Sequence, residues 1–117
     1  MKLKPINAKQ RFANLLKLPR GVVKYAEHKQ SRVPDLEHIV LQEELAIYWY
    51  ARFVLKQRWP EGEKVLLKGI YKWGPNTYIV REYAQNVVRE RWPEAEPILK
   101  KDLAEWNQYK EFFNIKE

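Results

Sequence analysis

Residues 83–98 read YAQNVVRERWPEAEPI, and residues 50–65, 33 positions earlier, read YARFVLKQRWPEGEKV. Laid over one another, residues 47–79 and 80–112 pair Tyr50-Ala51 with Tyr83-Ala84, Val54 with Val87, and Arg58-Trp59-Pro60-Glu61 with Arg91-Trp92-Pro93-Glu94. They also pair Glu63 with Glu96, Val65 with Ile98 and Trp73 with Trp106. A weaker third copy lies upstream, where Tyr25-Ala26 precedes Arg32-Val33-Pro34-Asp35-Leu36-Glu37 and Ile39, with one residue fewer between its halves and Val in place of Trp. Agreement of this density at a fixed offset marks a tandem repeat.

Each copy carries the signals of two helices and a short break. Ile47, Tyr50, Ala51, Val54 and Leu55, and likewise Val80, Tyr83, Ala84, Val87 and Val88, recur at i, i+3, i+4, i+7 and i+8, one apolar stripe on a 3.6-residue helix. Ala at the second motif position leaves room for a neighbouring helix. Pro60 and Pro93 end the first helix but suit the first turn of the next, whose N–H groups lack intrahelical partners. Glu61, Glu63, Glu94 and Glu96 then fall where the helix dipole favours carboxylates. Trp59 and Trp92 are placed to fold over the junction as buried wedges.

The expected fold is all-α: a compact stack of three degenerate helix–turn–helix copies, about 21–46, 47–79 and 80–113, in a single domain spanning 1–117. A basic N-terminal segment, 1–20, precedes the stack and a C-terminal helix caps it. The periodicity predicts helices near 8–17, 21–30, 35–41, 42–57, 60–68, 76–90, 93–101 and 103–113. In the last, Leu103, Trp106, Phe112 and Phe113 are expected to cover the open end.

The motif, Tyr-Ala followed by Arg-Trp-Pro-Glu-Ala-Glu, resembles the short helical tandem repeats, about 25 residues each, of uncharacterised phage and bacterial proteins. The resemblance covers residues 22 to about 112. It implies helical repeat architecture and a phage origin, and no activity.

Composition narrows the function classes. The chain has no Cys, which excludes thiolate chemistry, disulfides and Cys-ligated metal, and no run near the roughly 20 apolar residues of a bilayer span. No signal-peptide pattern follows the basic N-terminus, so a soluble cytoplasmic protein without membrane contact is expected, in the host cytoplasm if phage-encoded. Residues 1–32 hold nine basic side chains against Glu27 alone, a net of +8, while the other 85 residues hold 13 basic and 14 acidic groups, a net of −1. Charge polarised in this way attracts polyanions, of which nucleic acid is the commonest in a cell.

No catalytic residues are assigned. The carboxylate pairs recur at helix starts in more than one copy, as a single active site would not, and residues two apart on a helix point in different directions. His28 and His38 lack zinc-ligand spacing, the four glycines are scattered, and no cofactor or metal site is expected. Arg58 and Arg91 are expected to pair with a carboxylate of the same or the next copy, fixing how neighbours dock.

Function is therefore sought where the copies disagree. Lys2, Lys4, Lys9, Arg11, Lys17, Arg20 and Lys24 are candidate nucleic-acid contacts, with Phe12 and Leu15-Leu16 anchoring their helix. Tyr71, Lys72 and Trp73, in the lengthened part of the middle copy around Gly69 to Thr77, are candidate partner contacts, although Trp73 aligns with Trp106 and equally suits the core. The expected function is non-enzymatic binding of nucleic acid or a nucleoprotein complex through the basic N-terminal face. The alternative is a protein–protein module: a phage effector or inhibitor acting on a host protein, or a virion component.

Overall fold

In the computed structural model, which describes residues 7–117, the chain is all-α. Its helices are α1 (Ala8–Leu15), α2 (Pro19–Lys29), α3 (Glu37–Val40, entered through a 3₁₀ turn Pro34–Leu36), α4 (Glu44–Trp49), α5 (Pro60–Lys68), α6 (Thr77–Tyr83), α7 (Glu96–Leu99) and α8 (Leu103–Phe112). α4 runs on as a π-helix over Tyr50–Leu55, and α6 over Ala84–Val88. Contacts form a spine in which α2 packs on α4, α4 on α6 and α6 on α8, while α3, α5 and α7 lean on it. The body measures 63 × 32 × 20 Å, with a radius of gyration of 16.9 Å against about 13 Å for an average globule of this length, so the core runs along an axis.

The spine is built from the predicted stripe. Val22 and Ala26, Ile47, Tyr50 and Ala51, Val80, Tyr83 and Ala84, and Trp106 and Tyr109 are buried at the same places relative to the tyrosine. The π-helices have a simple cause. From the tyrosine to the left-handed residue that stops the helix there are five steps in the first copy (Tyr25 to Gln30), but six in the next two (Tyr50 to Lys56, Tyr83 to Arg89). The extra residue is absorbed by widening the last turn, so that the N–H groups of Lys56 and Arg89 donate five residues back, to Ala51 and Ala84.

At each break the arginine pairs within its own copy. Arg32 donates to both oxygens of Glu37 at 2.6 and 3.0 Å, Arg58 to Glu63 at 2.9 and 2.7 Å, and Arg91 to Glu96 at 2.9 and 2.7 Å. The tyrosine of the following spine helix completes the node. Tyr83 donates to Glu63 at 2.8 Å and accepts from the Trp59 N–H at 2.9 Å; Tyr50 does the same with Glu37 and the Val33 N–H, and Tyr109 with Glu96 and the Trp92 N–H. A buried backbone donor is thereby satisfied by the neighbour that must dock there.

These contacts perturb ionisation. Burial opposes the charge on Glu37, but hydrogen bonds from Arg32 and Tyr50 outweigh it and hold the carboxyl below its ordinary range. The Arg91 fork does the same for Glu96, with help from Tyr109. Burial and the hydrogen bond to Glu96 push the Tyr109 hydroxyl up to about 12, and burial likewise raises Tyr50 and Tyr83.

Three expectations need correction. Pro60 opens α5, but Pro93 opens only a turn, and α7 starts at Glu96. Pro97 explains this: it lacks the N–H that would bond the carbonyl four residues back, whereas the middle copy has Lys64 there. The dipole alone does not account for Glu63 and Glu96, which are the acceptors at the nodes, while Glu61 and Glu94 are exposed. In α8 only Trp106 and Tyr109 are buried; Leu103 and Phe112 stay mostly exposed, because α8 sits as another tyrosine-bearing spine helix rather than flat across the end.

Candidate nucleic-acid interface

α1 follows an Asn7 cap whose side chain accepts from the Gln10 N–H, and it turns into α2 through Leu16–Leu18. A Cβ at Gly21 would overlap the Leu15 carbonyl, so this close approach sets the angle between the two helices. No residue of α1 is buried. Phe12 reaches Tyr25 edge-on, with centroids 5.3 Å apart, but remains half exposed, Leu15 is exposed as well and Leu16 is half-buried, so the expected anchor forms only in part.

Lys2 and Lys4 lie outside the described residues. Lys9 and Arg11 are exposed on α1, Lys17 in the turn, and Lys24 on α2, and among the described residues none of the four forms an ion pair. Arg20 differs, since its guanidinium donates to Glu43 at 2.5 Å and sits 5.6 Å from the Trp49 ring centre. Elsewhere Arg32, Arg58, Arg81 and Arg91 are committed to carboxylates.

Between the α1–α2 corner and α4 lies an open groove of about 600 Å³. Leu15, Leu18, Val23, Trp49 and Phe53 line it, with Arg20, Lys24, Glu27 and Glu43 among its charged lining residues. Sequence reasoning missed this groove, although the signal was present. Trp49 and Phe53 form a second apolar pair at i, i+4, where the last copy has Glu82 and Asn86.

The insertion stands clear of the core. Trp73 is 74% exposed, unlike its alignment partner Trp106 at 5%, and its ring stacks on Tyr71 with centroids 4.6 Å apart and planes 15° off parallel. Trp106 belongs instead with Ile47 and Val80, three residues before the spine tyrosine. The turn is tied down at both ends. The N–H groups of Ile70 and Asn76 donate to the buried Glu44 carboxylate at 3.4 and 3.1 Å, the Gly74 N–H closes onto the Tyr71 carbonyl at 2.9 Å, and the Asn76 side chain caps α6. Gly69, at φ 84°, passes so close to the Gly74 backbone that no side chain fits.

The neighbours Glu43 and Glu44 bring the two regions together, one holding Arg20 and the other the insertion. Summed covalent reach along that route puts Arg20 and Ile70 within about 20 Å of each other. His28 and His38 are exposed on α2 and α3. No described helix is long and apolar enough to cross a membrane. Comparisons with protein-family models, curated proteins and solved structures found no match.

Proposed function

We propose that this protein binds nucleic acid without catalysis, gripping the phosphate backbone through the cations of α1 and α2. The observation that carries this reading is their availability: Lys9, Arg11, Lys17 and Lys24 are exposed and unpaired among the described residues, while the arginines at the nodes are engaged. Free cations clustered on one end release counterions when they meet phosphates, which supplies most of sequence-independent affinity. Four such contacts give a slope of log affinity against log salt of about −3 to −4 on duplex DNA. Changing the four to Gln is expected to weaken binding about tenfold or more at low salt and to flatten that slope. Absence of binding to random DNA and RNA at low salt sinks the proposal.

A second reading has the groove in its favour. Leu15, Leu18, Trp49 and Phe53 offer an apolar floor of the kind a protein partner covers, on a phage effector or virion component as readily as elsewhere. In that case Phe53→Ser and Leu18→Ser abolish capture of a host protein that the four-Gln variant still captures.

A further inference from the structure

We infer that Trp73 is a stacking platform for an unpaired base, so that the nucleic acid taken by this protein is single-stranded. The inference rests on the nucleic-acid reading above and sharpens its substrate class. One face of the Trp73 indole is covered by Tyr71, yet 74% of the residue is exposed, which leaves the opposite face open to a third ring. Stacked on Tyr71 and mounted on a turn clamped by Glu44, the indole is held in place before any ligand arrives. A planar ring presented rigidly loses little freedom on binding.

Lys72, exposed between the two aromatics, supplies the charge for a phosphate next to the stacked base. Arg20, within about 20 Å of Ile70 at the base of the turn, marks the α1–α2 corner from which a strand of several nucleotides would run to the platform. Bases inside a duplex offer no free face to an indole at a turn tip, so this platform discriminates against paired nucleic acid.

The test uses the full chain with fluorescein-labelled dodecathymidylate, and a 12-base-pair duplex carrying the same label, at low salt. Binding is read by anisotropy and stacking by intrinsic tryptophan emission. The wild type is expected to bind the single strand more tightly than the duplex, with quenching of emission. Trp73→Ala is expected to lose about 5- to 100-fold in single-strand affinity, to leave duplex affinity unchanged and to remove most of the quenching; Trp73→Phe is expected to lie between. Thermal melts of both variants matching the wild type exclude a folding defect. Unchanged strand affinity and quenching in Trp73→Ala overturns the inference while leaving backbone binding in place. Failure of the wild type to bind either probe overturns both. Loss of a captured protein partner in Trp73→Ala, with strand binding intact, overturns it in favour of a protein interface.

Discussion

The junctions around Trp59 and Trp92 are almost the same sequence, yet they fill the same space with different parts. Around Trp59 the small position is Gly62 and the facing spine residue is Ile47; a Cβ on Gly62 would stand 2.6 Å from Ile47 Cγ2 and 2.7 Å from the Trp59 ring. At the aligned positions around Trp92, Ala95 replaces Gly62 and the shorter Val80 replaces Ile47, and both are fully buried. The upstream junction goes further, with Val33 for Trp, Leu36 at the small position and Val22 on the spine. What recurs is the Arg–Glu–Tyr node that closes over each junction, while a larger residue at one position goes with a smaller one at another, as close packing demands.

The comparison can be broken most severely at the wedge itself. Trp59→Ala is expected to destabilise the protein by about 3–5 kcal/mol in denaturant unfolding, because the ring is fully buried and the junction cannot collapse around the space left. Val33→Ala should lose clearly less. Next comes the node: Tyr83→Phe strands the Trp59 N–H without an acceptor and is expected to lose about 1–3 kcal/mol. Tyr25→Phe, at a spine tyrosine with no Arg–Glu junction before it among the described residues, is expected to change little.

Volume sharing is sharpened by exchange. Gly62→Ala alone is expected to lose about 1–3 kcal/mol through overpacking. Adding Ile47→Val, which recreates the Val80–Ala95 pair, should recover much of that loss, and a double-mutant cycle measures the coupling. Additive effects would show that the two positions do not share one space.

The ionisable groups of the nodes predict a pH profile. Glu37 and Glu96 have depressed folded-state pKa values, so their stabilisation is present above the ordinary carboxylate value of 4.5 and is lost as pH falls through the folded values. Tyr109 runs the other way. Raised from 10.0 to about 12, it favours the fold below pH 10.0 and loses that contribution as pH rises towards 12. Thermal melts across both windows check each limb; a melting temperature constant between pH 6 and 3 contradicts the first. The smallest effect belongs to the insertion, where Trp73→Ala is expected to shift stability by no more than about 0.5 kcal/mol, since the ring lies outside the core.

Much of the site was legible because it consists of departures from a pattern. The basic first copy and the extra length around Gly69 to Thr77 are visible once the copies are aligned, and the aromatic pair Trp49 and Phe53 in place of Glu82 and Asn86 is visible in the same way. The role of Glu44 was not, since nothing local distinguishes a carboxylate that caps a distant loop from one at an ordinary helix start. Nor was the exposure of Trp73, whose alignment with Trp106 followed sequence offset rather than its place relative to a spine tyrosine.

By itself the sequence determined the helices, their breaks and their buried stripe, because periodicity, proline and alanine act through local sterics and solvation. It also located the unbalanced charge. Only the tertiary structure decided that the hydroxyls of Tyr50, Tyr83 and Tyr109 each serve the junction that precedes them, 17 or 24 residues away, and that an added residue is taken up as a π turn. Those outcomes depend on which surfaces meet. Tyr50 and Tyr83 find their partners in the copy before their own, and Tyr109 finds its partners at the Arg91–Glu96 fork, so each hydroxyl acquires a partner only when the preceding fork has folded against it.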